Sequence, residues 1–386
     1  MTDKAIFLDY HAHGPLDPTV ARALTHAFDT FDANPHSGSV ASEAARVAVE
    51  AARASVGRLL GVPASGIVFT SGATEANNLA FAGLADHLHS TGRRRLVVSA
   101  IEHASVLESA RHQGDRFDVR LAPVLPNGLV DLARLEGLVT PDTGMVSIAA
   151  ANHEIGVIQP LSDIVAIARR AGALVHTDFA QAAGKITSDL TNVDLASVSA
   201  HKIHGPFGVG ALYVRRSIQK YLKPVFQGGG QERGLRSGTV PAPLCIAFGV
   251  AADLSAERLA EDGKRVEALR TRLLAGLERS GRIEINGHLD RRLPGNLNLC
   301  FAGVDAEALV MRLRHQVVIS TGSACTTDSL DPSPVLLALG LERRIAETAV
   351  RIGLGRFTTE AEIDQAITII GQAVADLRAV SQRAVA

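Results

Sequence analysis

Ser197-Val198-Ser199-Ala200-His201-Lys202-Ile203-His204-Gly205-Pro206 sets one lysine among small and apolar residues, and the reading of this run decides the fold. The apolar stretch Val193 to Val198 leads into it, and a second strand-like stretch, Val209 to Val214, follows. Lys202 is therefore expected where two buried strands meet, a place that strips water from an amine and disfavours its charged form. A free amine is what Schiff-base formation with a carbonyl cofactor requires. Taken alone, such a lysine reads as one that snorkels from a loop to water. Its company along the chain changes that reading.

Upstream, Ala173-Leu174-Val175-His176-Thr177-Asp178-Phe179-Ala180-Gln181 is a short apolar strand that ends on a carboxylate. Ligands of open parallel sheets collect at the carboxyl ends of the strands, which puts Asp178 in reach of a bound ring. A carboxylate beside a pyridine nitrogen keeps it protonated, and protonated pyridine is the electron sink of pyridoxal phosphate chemistry. Earlier still, Ile67 to Asn78 reads as a strand, the small-residue turn Ser71-Gly72-Ala73-Thr74, and a helix start. The free N–H groups and dipole of such a start attract phosphate. By itself this motif is an ordinary helix N-terminus. Phosphate turn, carboxylate and lysine in this order, each at a strand end, form a far more specific signal.

With these residues in place the chain resembles the class V (fold type I) aminotransferase family, and within it the cysteine desulfurases. The resemblance runs through Leu8-Asp9-Tyr10, Ser71 to Glu75, Glu102-His103, Glu154-Ile155-Gly156-Val157, Asp178 to Gln181 and Ser199 to Lys202. It continues through Gly228 to Gly234, Arg236-Ser237-Gly238-Thr239, Thr321-Gly322-Ser323-Ala324-Cys325 and Arg351 to Arg356. The resemblance implies that Lys202 holds pyridoxal phosphate covalently, Asp178 pairs with the ring nitrogen, and Gln181 bonds the phenolic oxygen. It also implies that His103 stacks on the ring and shuttles protons, and that Ala73, Thr74, Ser199 and His201 hold the phosphate. Thr239 would reach the phosphate in a neighbouring subunit, so a homodimer is implied. Asn34 and Arg351 would bind the substrate carboxylate, for which a planar guanidinium is the natural partner.

Cys325 separates desulfuration from other pyridoxal phosphate reactions. It lies in Ser320 to Ser329, a run of small and polar residues that reads as a mobile surface loop. A thiolate there can attack the sulfur of bound L-cysteine, leaving an enzyme persulfide and releasing alanine. Cys245 and Cys300 lie among apolar neighbours and read as small core residues. Three cysteines without disulfide or metal spacing point to a reducing, cytoplasmic setting, and neither a signal-peptide pattern nor an uncharged apolar run of membrane length is evident. With 39 basic against 40 acidic residues, no global field attracts nucleic acid or membrane, and Arg93-Arg94-Arg95 reads as a solvated edge.

Hydrophobic residues at 46% suffice for a large core. Helical periods alternate with short apolar strands from Ala41 to Val214, the pattern of a doubly wound α/β sheet. The expected architecture is a fold type I transferase. It comprises a large cofactor-binding domain over 15–255, with a mainly parallel, seven-stranded sheet, and a smaller α+β domain from 1–14 with 256–386, carrying the cysteine loop and Arg351. A helical stretch after Pro243 is expected to break near Asp253.

Several positions depart from the family pattern. Asn152-His153 stands where two asparagines are usual, placing an imidazole near the ring's phenolic oxygen, where reach and possible charge differ from an amide. His11-Ala12-His13-Gly14 replaces small hydroxyl and alanine residues. On a strand the two histidines would share a face, but no nearby pattern completes a metal site, so none is assigned. Val40 replaces a common histidine, and Phe179 a smaller residue. The chain also lacks the longer tail with which housekeeping desulfurases engage a cluster scaffold, so a dedicated acceptor protein of unknown identity is expected. The departures leave open a lyase of selenocysteine or a related substrate, and a low-turnover scaffold of the same fold.

Overall fold

In the computed structural model, which describes residues 5–187, 189–322 and 332–385, the strands are β1 (Ile6–Phe7), β2 (Ile67–Thr70), β3 (Arg95–Ser99), β4 (Asp118–Ala122), β5 (Thr143–Ser147), β6 (Leu174–Asp178), β7 (Leu195–Ser199), β8 (Gly210–Val214), β9 (Ile283–Ile285), β10 (Asn296–Phe301), β11 (Val317–Val318), β12 (Ser320–Thr321) and β13 (Ala349–Gly353). Seven of them lie side by side in the order β2-β8-β7-β6-β5-β3-β4. Strands β3 to β7 run parallel, and β8 runs antiparallel between β2 and β7. This is the mainly parallel α/β sheet expected from the alternation of strands and helices.

Both faces of the sheet are covered, so its strands are apolar on both sides. Val97, Val146 and Val175 point into one core, while Leu96, Val98 and Met145 point into another. The helix Val40–Leu60 packs on one face against Ala242–Glu278, and Gly249 lets them touch: a Cβ there would lie 2.7 Å from Ala52 Cα.

Ala242–Glu278 is continuous over 37 residues, without the break expected at Asp253. Asp253 followed by Leu-Ser reads as a helix start because an Asp side chain can cap backbone N–H groups. Here its carboxylate instead accepts from Ser55 Oγ at 2.8 Å and from Arg58 at 2.9 Å on the neighbouring helix. The first core contains residues of this long helix up to Ala252, and the second contains residues from Val266 onward.

The second core lies under an antiparallel sheet of order β12-β13-β10-β9 and the helices Ala306–Leu313 and Glu360–Val385. β1 pairs in parallel with β11, Ile6 opposite Val317, and Ile6 and Leu8 join Leu297, Leu299, Val350 and Ile352 in that core. The start of the chain thus packs with its C-terminal part. Cys245 and Cys300 are buried, as their neighbours foretold. Arg93 is more than a solvated edge residue: its guanidinium donates to the carbonyls of Pro141, Thr143 and Ala171. Among the described residues no helix is long and apolar enough to cross a membrane.

Candidate active site

The carboxyl ends of β2, β3, β5, β6 and β7 open on one cavity of about 570 Å³. Residues following these strands line one wall, and Asp9, His11, Ser320 and Arg351 line the other.

After β2 the chain turns through Ser71 and Gly72 into the helix Ala73–Ser90, whose start has no side-chain cap. The first-turn N–H groups of such a helix have no intrahelical partner and remain available to an anion. Glu75 braces the turn, accepting from Ser71 N at 2.7 Å and pairing with Arg236 at 2.8 Å. β8 passes close beneath: a Cβ on Gly210 would lie 2.6 Å from Gly72 Cα, so only glycine fits. Beside the turn, Ser199 Oγ and His201 Nδ1 are 2.8 Å apart. Burial, then the Lys202 amine, pushes the His201 imidazole down to about 4, and its ring stacks on Phe207.

Asp178 ends β6 with its carboxylate held by the Ala180 N–H at 3.0 Å and by Asn77 Nδ2 at 2.9 Å. Asn77 also donates to Ser105 Oγ at 2.9 Å, and that oxygen lies 2.8 Å from His103 Nδ1. His103 is the N-cap of Ala104–Arg111: its Nδ1 accepts the Ser105 N–H at 3.1 Å. A neutral ring that accepts at Nδ1 carries its proton on Nε2. Glu102 is buried nearby and accepts from Ala149 N at 2.6 Å; burial raises its carboxyl well above the usual range.

Lys202 sits on the short turn Ala200–Ile203 between β7 and β8, where the two apolar stretches were expected to meet. Its amine donates to the backbone carbonyls of His11 and Ala12. Residues 11–13 form a turn rather than a strand, so the two imidazoles part. His11 is buried with Nδ1 3.1 Å from Gln181 Oε1, whereas His13 packs between Phe7 and Phe207. Among the described residues no group of three or more His, Cys, Asp or Glu side chains could hold a metal ion.

On the opposite wall, Arg351 of β13 is 3% exposed. One terminal nitrogen donates to Asp9 Oδ1 at 2.8 Å, the other to His153 O at 3.3 Å, and its buried Nε has no partner. Ser320 of β12, paired with Arg351 across the ladder, donates to the other Asp9 oxygen. Burial, followed by His103, Arg351 and Lys202, holds the His153 imidazole well below the usual value, which favours the neutral ring. It stands edge-on to His103 with centroids 5.2 Å apart.

Ala73, Thr74, His103, His153, Asp178, Gln181, Ser199, His201, Lys202 and Arg351 therefore share one cavity. Asn34 and Thr239 do not line it. Asn34 is exposed, and its Oδ1 accepts the N–H of His36 in its own turn. Thr239 is exposed as well. Cys325 lies outside the described residues. Sequence reasoning missed Asn77 and Ser105, which link Asp178 to His103, and the pairing of Asp9 with Arg351. A signal existed for Asn77: four residues after Ala73, it returns to the same helix face.

The Aminotransferase class-V family matches residues 6–366. The "Cysteine desulfurase IscS" of Rickettsia rickettsii (strain Iowa) is 43% identical over 381 residues, covering 97% of this chain and 92% of that protein. The solved structure of a "NIFS-LIKE PROTEIN" is similar with a TM-score of 0.90 at 36% identity, over 96% of this chain and all of the other. "SspA in complex with cysteine" is similar with a TM-score of 0.81 at 32% identity, over 92% of this chain and all of the other. The fold is that of a pyridoxal phosphate enzyme of fold type I. The chain belongs to the class V aminotransferase family.

Proposed function

We propose that this cavity binds pyridoxal phosphate and L-cysteine together and that the residues around it remove the sulfur. The chain is a pyridoxal phosphate-dependent cysteine desulfurase. One observation carries the reading at the level of residues: a lysine amine, a strand-end carboxylate, an uncapped helix start and a buried arginine with a free Nε line a single cavity. These groups match an aldehyde, a pyridine nitrogen, a phosphate and an amino-acid carboxylate in turn.

Lys202 would hold the cofactor, Asp178 its ring nitrogen, and the N–H groups at Ala73 and Thr74 with Ser199 and His201 its phosphate. Gln181 and the neutral His153 would face the phenolic oxygen. Bound there, pyridoxal phosphate supplies an electron sink for the carbon skeleton of an attached amino acid. His103 holds and moves a proton at Nε2, and Arg351 orients the substrate carboxylate. The Cys325 thiolate attacks the substrate sulfur. An S–S bond forms, the C–S bond breaks with its electron pair left on carbon, and that carbon takes a proton as alanine is released. The persulfide then passes its sulfur to an acceptor protein. Asn34, engaged in its own turn, is not assigned a role.

The active unit is read as a homodimer, supported by apolar Val40 and Phe207 at the surface, Phe207 on the cavity rim, and by Thr239 facing outward. A division into 15–255 and the remainder agrees with the change of core along Ala242–Glu278. Free thiols at Cys245 and Cys300 suit a reducing cytoplasm.

The test is borohydride reduction of the purified protein followed by peptide mapping, with alanine and sulfide measured after L-cysteine is added together with excess dithiothreitol, the thiol reductant that cleaves the persulfide and releases its outer sulfur as sulfide. The expected label is on Lys202, with equal alanine and sulfide, and Cys325→Ser is expected to abolish sulfide release. A label elsewhere, or undiminished sulfide from Cys325→Ser, overturns the assignment.

A further inference from the structure

Lys185 follows Gly184, which turns the chain with a φ of 64°, and comes four residues after Gln181. It does not line the cavity, and nothing above gives it a task. Its Nζ donates to Gln181 Oε1 at 3.1 Å. The same oxygen lies 3.1 Å from His11 Nδ1, and Gln181 Nε2 donates to His11 O at 2.9 Å. That carbonyl also receives the Lys202 amine.

These contacts fix several protons. An amide oxygen has two lone pairs, and a lysine amine approaching one of them is the donor. The imidazole facing the other pair must donate too, which places a proton on His11 Nδ1. Burial, followed by Lys185 and Arg351, holds His11 well below its usual value, so the ring is neutral and carries only that proton. His11 Nε2 is then a bare acceptor, and it is buried without a partner. A flipped Gln181 amide would set its N–H groups against Lys185 and its oxygen against the His11 carbonyl.

We propose that Lys185 is a positioning residue which, together with His11, locks the Gln181 amide with its oxygen turned into the protein and one N–H left to face the cofactor. The proposal rests on the cofactor reading above and deepens it. The lock does not depend on the charge of Lys185. Burial, followed by Lys202 and Arg351, pushes its amine down to about 7, yet both the charged and the neutral amine donate a hydrogen bond.

Two measurements on the holoprotein test this. Neutron diffraction of the parent is expected to find the His11 proton on Nδ1; a proton on Nε2 overturns the proposal without any variant. Lys185→Met is expected to release the cofactor to a scavenger about fivefold to tenfold faster, and to shift its visible absorbance and the pH midpoint of that absorbance, as loss of one restraining hydrogen bond implies. An unchanged spectrum and release rate in a folded Lys185→Met protein also overturn it. A parent that takes up no pyridoxal phosphate would instead defeat the cofactor reading.

Discussion

The two walls of the cavity are built by opposite means. On the sheet side, long-range braces such as Asn77 with Asp178 and Arg236 with Glu75 are joined by local ones: Ser199 with His201, Ser105 with His103 and Ala180 with Asp178 each lie two residues apart. On the far side they span much of the chain. Arg351 meets Asp9 across 342 positions, Ser320 meets Asp9 across 311, and Arg351 meets the His153 carbonyl across 198. Strand ends and helix starts hold the first wall even if one bond is lost. The second exists only where the N-terminal segment and the C-terminal sheet are docked, and it holds buried charges that depend on one another. A change on the sheet side is therefore expected to touch chemistry alone, and one on the far side chemistry and stability together.

Substitutions can break that contrast. Lys202→Ala is expected to have the largest effect on turnover, a loss of at least about 1,000-fold in alanine formation, with the thermal midpoint close to that of the parent. A midpoint as low as that of the Arg351 variant described next would erase the distinction between the walls. Arg351→Met leaves Asp9 buried and unpaired, which should cost about 3–5 kcal/mol in denaturant unfolding besides raising KM for L-cysteine. Adding Asp9→Asn should restore much of the stability and none of the KM. Additive losses in the double variant would mean the pair is not coupled.

Protonation sharpens the comparison further. Glu154 accepts from Ser333 Oγ at 2.6 Å where the far wall meets the sheet, and burial raises its carboxyl from 4.5 to about 7. Between those values the folded protein keeps a proton that the unfolded chain has released, so this contribution is complete below 4.5 and is lost as pH rises through 7. Relative to Glu154→Gln, the parent should lose on the order of 3 kcal/mol between pH 4.5 and 8. Buried His176 and His204 and half-buried His201, each lowered to about 4, act in the opposite sense: they weaken the fold as pH falls from 6.5. They are common to parent and variant, so the difference isolates Glu154. A flat difference would show that its carboxyl is not raised. The smallest effect is expected from His153→Asn: the ring is already neutral, so KM and absorbance should move little, within about threefold for KM. A large shift would mean that His153 carries charge in the working enzyme.

Legibility followed the same division. Lys202, Asp178, Ser199 and the turn at Thr74 could be read because each ends an apolar strand, and strand ends of a parallel sheet converge on one edge. Whether His11 and His13 share a face could not be read, since alternation along a strand and positions in a tight turn look alike over three residues. The break expected near Asp253 was a misreading because the Ser55 and Arg58 groups that claim its carboxylate lie nearly 200 positions away in sequence. Asn34 was assigned from the resemblance alone, and its Oδ1 accepts the His36 N–H of its own turn.

From sequence alone came the α/β class and the order of strand-end groups, because short-range periodicity and local turn chemistry decide those features, and, through the resemblance those motifs carry, the family and its cofactor. The tertiary structure alone decided that Arg351 rests on Asp9, that His153 lies where burial and nearby cations disfavour its charge, and that Lys185 and His11 meet at the Gln181 oxygen. Those properties depend on which groups lose water together and which donors then share an acceptor. Such partnerships arise between residues far apart in the chain, once the two cores have closed around the cavity.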